Sequence, residues 1–391
     1  MKLDKVRKIE LTITPNYVSD WNFQDAVREL IQNGTDQQTL DPKNVFEISY
    51  DEQENILQLS NSESTLEINT LLLGCSTKSN NTDTVGQFGE GYKIAALVLN
   101  RLGKTFSVYN NSKDEIWISK FEYSEVFNEK VLMFEIIPNH TSNDGLVIEI
   151  ENVTSDEYNS LYDVWIGMPG AENHKAIETS YGRIFTEKDM RGEIFVNGLA
   201  VEKEKNLYFG YDFKPQYITV ERDRKSCSTW DMRSTTSKMI CEAIDNGDLN
   251  IKDLMEIAND GSFYDICNIQ YQTYTEKGRK VKDMIISDFD ENNHSAIPVG
   301  NQSDYDKVKK LGGKPVFVPY EIAQIVSGTT EERMKELAEE SWGRDFSVKE
   351  KLQQWRDFYE NDFSSEAIEQ FNKIIEELEQ EIANNGNNKW T

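Results

Sequence analysis

The chain has 391 residues, of which 38% are hydrophobic and 11% aromatic, which excludes a disordered protein and allows two or three domains with separate cores. Its formal net charge of −27 argues against a broad nonspecific nucleic-acid surface, because phosphates would be repelled; it indicates solubility or imitation of nucleic acid toward a basic partner. Four widely spaced cysteines and three scattered histidines suggest no metal cluster or Ser/His/Asp triad, and no apolar stretch reaches transmembrane length. We therefore expect a cytoplasmic protein with reduced thiols and no membrane contact.

After a first short strand, the pattern predicts an amphipathic helix over residues 21–36, with Ser19 or Asp20 as its N-cap. Its apolar residues recur at i, i+3, i+4, i+7 and i+8: Phe23, Ala26, Val27, Leu30 and Ile31. Glu29 and Asn33 are four residues apart and share a different face of the helix.

Alternating hydrophobic segments predict seven strands, over residues 6–14, 45–50, 56–60, 105–109, 116–121, 131–137 and 146–151. A short helix over 66–74 and a buried helix over 92–102 flank a polar loop that contains several glycines. Helices packed on a mostly antiparallel sheet give an α+β fold of the α/β-sandwich type.

The rest of the chain predicts a second α+β region and an acidic helical C-terminus. Residues 156–190 look helical and irregular, and a hairpin with its turn at Asn197-Gly198 follows. One or two helices are expected in 227–260 and a β-α-β unit in 283–319, and Thr329 with Glu332 has the pattern of a capping box. The predicted domains are residues 1–155, 156–285 and 286–391.

The segment from Glu29 to Asp36 carries the first chemical motif. A carboxylate beside a nucleotide can orient and deprotonate the attacking water, which suits Glu29. The amide oxygen of Asn33 is a hard ligand suited to Mg²⁺. The alternative is an amphipathic helix whose polar face is simply solvated.

A glycine-rich loop carries the second motif: Gly86, Gln87, Phe88, Gly89, Glu90 and Gly91, with Lys93 on the helix that follows. Glycines let backbone N–H groups approach phosphate oxygens, and a helix N-terminus favours anions. The loop is not a Walker motif, because it contains no GxxxxGK[ST], and it lacks the context of a Rossmann unit.

Taken in order, these motifs resemble the GHKL ATPase family (gyrase, heat-shock chaperone, histidine kinase, MutL), which has the Bergerat-type α/β sandwich. The resemblance covers residues 20–103 and extends weakly to 151, and it is nearest the chaperone and MutL-like branches. It implies ATP and Mg²⁺ as cofactors, with Glu29 as general base, Asn33 and Glu29 at the metal, and the lid glycines around the triphosphate. Asp36 matches the acid that follows Asn33 in the family. Lys78, before the lid, and Arg224, in a region similar to a transducer domain, are candidate catalytic cations; for Arg224 the alternative is a surface salt bridge.

One segment departs from the family pattern. Where relatives have an Asp followed by two glycines, this chain has Asn61, Glu63 and Thr65. The amide oxygen of Asn61 can accept a hydrogen bond from the adenine amino group but carries no charge, so we expect a weaker contact.

Two functions therefore remain open. The first is a Mg²⁺-dependent ATPase whose lid closure changes its conformation or forms a homodimer. The second is a degenerate GHKL-fold interaction protein, encoded by a phage or mobile element, whose acidic surface binds a host or nucleic-acid-associated partner. A histidine kinase is a third reading, disfavoured because no histidine lies in a paired-helix dimerisation pattern.

Overall fold

The structure is a computed structural model that describes residues 6–72, 91–139, 143–220, 226–342, 348–359 and 363–385. Its chain falls into two compact units, Met1–Thr235 and Thr236–Thr391. The three-domain division at residues 155 and 285 stays a prediction.

The first unit contains a seven-stranded sheet in which every pairing is antiparallel. Its strands are β1 (Arg7–Glu10), β2 (Phe46–Asp51), β3 (Ile56–Asn61), β4 (Thr105–Asn110), β5 (Glu115–Ser124), β6 (Glu129–Pro138) and β7 (Leu146–Glu151). They lie in the order β1-β6-β5-β4-β7-β3-β2, so that β7, the last in sequence, lies between β3 and β4. In this register Ile148 is opposite both Leu59 and Val108.

Two helices, α1 (Phe23–Leu40) and α2 (Gly91–Arg101), share one hydrophobic core with this sheet. The predicted α+β sandwich is confirmed. The predicted N-cap of α1 is wrong: the cap is Asn22, whose side chain accepts from the Asp25 N–H while the Asp25 carboxylate accepts from the Asn22 N–H. Two reciprocal bonds satisfy more of the unpaired N–H groups than a single serine would. Between the sheet hairpin and α2, the predicted short helix is a 3₁₀ helix, Ile68–Leu71.

A five-stranded sheet follows, after the short helix α3 (Ser155–Asn159). Its strands are β8 (Ala176–Thr179), β9 (Gly182–Phe185), β10 (Glu193–Val196), β11 (Leu199–Lys203) and β12 (Gly210–Phe213), in the order β11-β10-β12-β9-β8. The β10–β11 hairpin is confirmed; Asn197 and Gly198 have φ of 52° and 79°, the left-handed values that its two-residue turn requires. The irregular helical reading of 156–190 misses β8 and β9.

Helices dominate the remainder of the described chain. They are α4 (Thr229–Asn246), α5 (Ile251–Asp260), α6 (Glu276–Asn292), α7 (Gln302–Lys310), α8 (Tyr320–Trp342), α9 (Val348–Phe358) and α10 (Ser365–Asn385). The β-α-β unit is confirmed, since β13 (Ala296–Val299) and β14 (Lys314–Phe317) pair in parallel on either side of α7. The capping box at Thr329 is wrong, because this residue lies inside α8, nine residues after its start. No helix among the described residues is both long and apolar enough to cross a membrane.

Two of the described cysteines are structural rather than reactive. Cys227 and Cys241 are buried free thiols, and burial raises the pKa of each to about 12. Because the thiolate is the reactive form, both side chains are inert near neutral pH.

Arg101, at the end of α2, holds the segment that precedes α1. Its guanidinium donates to four backbone carbonyls: Pro15 O at 3.2 Å, Tyr17 O at 3.0 Å, Val18 O at 3.0 Å and Trp21 O at 2.9 Å. The planar fork of an arginine can serve several acceptors in fixed directions, which an ammonium group cannot. This contact sets the position of α1 relative to α2.

We predict that Arg101→Met lowers the free energy of unfolding of the first unit by about 2 kcal/mol, since charge-assisted hydrogen bonds are lost while the aliphatic stem is kept. Urea denaturation of the full chain measures this. The free energy of unfolding of Arg101→Lys should lie between those of Arg101→Met and the wild type. Lys43→Met, at an exposed lysine whose ammonium makes no bond to the described residues, is the control. An Arg101→Met curve that coincides with the control would contradict the assignment.

Candidate functional site

Helix α1 places Glu29 and Asn33 on successive turns of one face. Glu29 is only 4% exposed, whereas Asn33 is half-buried. The apolar stripe of the same helix, which includes Val27, Leu30 and Ile31, lies in the core and fixes the helix rotation. The polar pair is therefore directed by core packing and not left on a free solvated surface.

The carboxylate of Glu29 lies against Gly91, the first residue of α2 in the described chain. A Cβ built on Gly91 would lie 2.0 Å from Glu29 Oε2, far inside van der Waals contact. A side chain at residue 91 would therefore force the end of the Glu29 side chain to move. The two motifs, 62 residues apart in sequence, thus meet at one point of the structure.

The first turn of α2 is anchored from the core side by Tyr92. Its ring packs on Phe106 and Phe134, with centroid separations of 5.4 and 6.0 Å, and burial raises the pKa of its phenol well above 10.0. The packing of Tyr92 therefore holds Gly91 in place beside Glu29.

The donor set fits Mg²⁺. The carboxylate oxygens of Glu29 and the amide oxygen of Asn33 are hard donors, one helical turn apart. Two protein donors with the remaining positions left to phosphate and water is the usual arrangement for this ion.

The residues that follow Asn33 serve the fold. Gly34 lies under the ring of Phe46, and a Cβ there would come within 2.2 Å of two ring carbons. Asp36 is completely buried. Packing against β2 thus accounts for the glycine of this motif, and the predicted cofactor contact of Asp36 stays a prediction.

Lys93 is also completely buried. Its ammonium donates to Thr70 O at 2.7 Å and to Leu72 O at 2.6 Å. These bonds tie the end of the 3₁₀ helix to α2, a role that the sequence did not indicate. The predicted contact of Lys93 with phosphate stays a prediction.

The segment from Asn61 to Leu66 is fastened by two asparagines. Asn44 accepts from the Glu63 N–H at 2.9 Å and donates to Ser64 Oγ at 2.8 Å. Asn110 Oδ1 accepts from Thr65 Oγ1 at 2.9 Å and from the Leu66 N–H at 3.2 Å, and its Nδ2 donates to Leu66 O at 2.9 Å. Glu63 and Thr65, which stand where the GHKL pattern has glycines, therefore have a structural use of their own.

Asn61 itself is buried and uses the donor end of its amide. Its Nδ2 donates to Gly34 O at 3.1 Å, which directs the amide nitrogen toward α1 and leaves Oδ1 as the acceptor end. An aspartate at this position would face the Gly34 carbonyl oxygen without a proton to share. The departure from the family pattern is thus matched by the backbone of α1.

Several predicted site residues lie outside the described residues: Lys78, Gly86, Gln87, Phe88, Gly89, Glu90 and Arg224. Their predicted roles at the phosphates stay predictions. Among the described residues, Glu29 and Gly91 come together, Asn33 lies one turn further along α1, and Asn61 lies at the end of β3 beside Gly34.

Sequence reasoning missed the link between α1 and the following region of the same unit. Gln24 Nε2 donates to Ser160 O at 2.8 Å, and the Arg28 guanidinium donates to Ala200 O on β11. At the other end of the helix, Asn197 Nδ2 donates to Thr39 Oγ1 at 3.3 Å. The sequence signal that could have indicated this contact is the presence of polar residues such as Gln24 and Arg28 outside the apolar stripe of α1. The helix that carries the candidate site thus contacts the five-stranded sheet directly.

Comparisons with known proteins identify relatives without assigning a family. Residues 171–246 match the model of the Mycoplasma pneumoniae MPN635 N-terminal domain. An uncharacterized protein of Mycoplasma pneumoniae (strain ATCC 29342 / M129 / Subtype 1) is 23% identical over 230 residues, which are 57% of this chain and 92% of that protein.

Two similar solved structures are type II topoisomerases. One is the ATPase region of Saccharomyces cerevisiae topoisomerase II bound to ICRF-187 (dexrazoxane), with a TM-score of 0.31, 10% identity, and coverage of 46% of this chain and 62% of that one. The other is the ATPase and transducer domains of DNA topoisomerase II from Balamuthia mandrillaris, with a TM-score of 0.35, 10% identity, and coverage of 57% and 83%. This chain spans less than two thirds of the yeast region. Neither structure is a chaperone or MutL protein, and the branch predicted from the sequence stays a prediction.

We predict that Gly91→Ala and Glu29→Ala are strongly coupled. Gly91→Ala alone should cost about 1–3 kcal/mol of stability, because its methyl group collides with the Glu29 carboxylate. In the Glu29→Ala background the same change should be neutral or slightly stabilising, since alanine is the better helix former. Urea denaturation of the four proteins measures the coupling energy. Gly328→Ala, inside α8 with no atom within 4 Å of its Cβ, is the control. Additive effects would refute the contact.

We predict that Asn61→Asp destabilises the protein by roughly 1–3 kcal/mol, because it removes a buried donor and places a carboxylate beside Gly34 O. Asn22→Asp is the matched control: Asn22 Oδ1 accepts from the Asp25 N–H at the exposed N-cap of α1, and aspartate can accept equally well there. Thermal and urea denaturation compare the two. Equal stability of both variants would show that the donated bond is unimportant.

Proposed function

We propose that residues 20–150 form a Mg²⁺-dependent ATP-binding and ATP-hydrolysing site of the GHKL class. The observation that carries the proposal is the contact between Glu29 and Gly91, which unites the helical carboxylate motif with the glycine motif. A buried carboxylate within one turn of an oxygen ligand, beside a position where a Cβ would collide with that carboxylate, supports a role in phosphate chemistry.

The residues divide the work by chemistry. Glu29 would orient the attacking water and accept its proton, and Asn33 would hold Mg²⁺ together with the same carboxylate. The chemistry that Mg²⁺ would supply there is positive charge against the phosphates. Gly91, with Gly86 and Gly89 before it in sequence, offers backbone N–H groups that no side chain shields. Asn61 offers an uncharged acceptor to the base, so base selectivity is weak.

Helix α1 is suited to transmit the state of the site. It carries Glu29 and Asn33 on one face, and through Gln24 and Arg28 it contacts the region that contains the five-stranded sheet. Closure of the glycine segment over a triphosphate would therefore act on a helix that contacts both the candidate site and the region of the five-stranded sheet. We propose that this motion changes the conformation of the transducer-like region or promotes a homodimer.

A second candidate function is binding of a basic protein partner by a domain that has lost nucleotide. It is favoured by the hydrogen bonds of Asn44 and Asn110 to the Asn61–Leu66 segment, which occupy backbone and side-chain groups at the proposed base end. The net charge of −27 fits such a partner. Nucleotide binding separates the two functions.

We predict that ATP with Mg²⁺ raises the melting temperature of the full chain, because a ligand that binds only the folded state stabilises it by mass action. Glu29→Ala should retain this shift while ATP hydrolysis falls by at least 100-fold. Asn33→Ala should reduce the shift in Mg²⁺ and change little in EDTA. Glu47→Ala, at an exposed position on β2, is the control.

Two outcomes would overturn the assignment. Absence of any shift at millimolar nucleotide supports the partner-binding function instead. Normal turnover by Glu29→Ala removes this residue as the base while leaving nucleotide binding intact.

A further inference from the structure

A histidine and three carboxylates gather on the first unit, in segments that the proposed ATP site does not use. Glu172 and His174 precede β8, and Glu187 and Asp189 lie in the turn between β9 and β10. One ligand atom from each of Glu172, His174 and Asp189 lies within 4.8 Å of the others. All four residues fall within 171–246, the part of the chain that matches the family model.

The imidazole is held in a defined orientation. His174 Nδ1 lies 2.6 Å from Glu187 Oε2, and the ring packs edge-on against the buried Phe185 at a centroid distance of 6.3 Å. The His174 side chain is 16% exposed. In the neutral tautomer with its proton on Nδ1, this contact leaves a lone pair on Nε2, which is the usual state of a histidine that binds a metal.

The two remaining carboxylates, Glu172 and Asp189, belong to exposed side chains beside the imidazole. Within the described parts of the chain, neither Glu172 nor Asp189 forms a salt bridge or a side-chain hydrogen bond. Three carboxylates around one imidazole repel each other, and a divalent cation would relieve that repulsion.

We infer that Glu172, His174 and Asp189 form a binding site for a divalent transition metal such as Zn²⁺, with Glu187 as the residue that positions the imidazole. One nitrogen and two carboxylate oxygens are a ligand set that Zn²⁺ accepts and that Mg²⁺ and Ca²⁺, which prefer oxygen alone, do not. Tetrahedral Zn²⁺ with bonds of about 2.0–2.2 Å needs ligand atoms roughly 3.4 Å apart. The exposed side chains of Glu172 and Asp189 reach that spacing by rotation about their χ angles.

Three protein ligands leave a coordination position for an external group, the arrangement found in zinc sites that bind a water or substrate. A pocket of about 570 Å³ adjoins the cluster, and Glu172 and His174 lie in its wall together with Arg183, Asp212 and Lys214. The open position has access to this pocket. The scattered histidines of the sequence indicated no metal site, because the ligands come from two segments that only the fold unites.

The test is calorimetric titration of the chelator-treated full chain with ZnCl₂, without nucleotide or Mg²⁺. We expect one site whose affinity falls at least 10-fold in His174→Ala and by 10-fold or more in Glu187→Gln, as is typical of a residue that orients a metal ligand. Glu172→Gln and Asp189→Asn, at exposed positions, should fold normally and weaken binding as well. His294→Ala, at an exposed histidine outside the cluster, should bind like the wild type.

The remaining outcomes overturn the inference. Equal Zn²⁺ affinity of His174→Ala and wild type, or no Zn²⁺ binding at all, removes the site. Displacement of Zn²⁺ by millimolar Ca²⁺ or Mg²⁺ shows attraction to an acidic surface only. Asn33→Ala should leave Zn²⁺ binding unchanged, so that failure of the ATP site and failure of this site are told apart.

Discussion

The close approach of the Glu29 carboxylate to Gly91 is the constraint on which the site depends. It is possible only because α1 and α2 lie side by side in one core and because residue 91 has no side chain. Core packing of Val27, Leu30 and Ile31 sets the rotation of α1, and the ring of Tyr92 sets the start of α2. The positions of Glu29 and Gly91 in the candidate site are thus set by the hydrophobic faces of α1 and α2, which pack in the core.

Contacts around Gly34 explain why Asn61 stands where the GHKL pattern has an aspartate. Gly34 makes room for the Phe46 ring, and its carbonyl receives the Asn61 amide, so the two ends of the site share one turn of α1. A charged residue in place of Asn61 would conflict with that carbonyl. The uncharged amide is therefore the residue that this backbone accepts.

Much of the first unit was predictable from local pattern. The stripe of α1 predicted both the helix and the shared face of Glu29 and Asn33, and Asn197-Gly198 predicted its hairpin. Local pattern failed where the deciding partner is remote. The Thr329–Glu332 spacing looks the same inside a helix as at its start. The strands β8 and β9, of four residues each, are too short for alternation to show. The ammonium of Lys93 bonds to carbonyls about twenty residues away, which no periodicity reveals.

The strand order also constrains how the chain reaches this state. β7 lies between β3 and β4, so that the hairpin of β2 and β3 has no link to β4, β5 and β6 within the sheet until β7 is present. Pairings between strands some 90 residues apart must be made late, because closing so large a loop is costly in entropy. During synthesis about 110 residues must therefore be added after the helix that carries Glu29 before its sheet is complete. Until then its apolar stripe is exposed, and this interval is when the nascent chain is most open to chaperones and to aggregation.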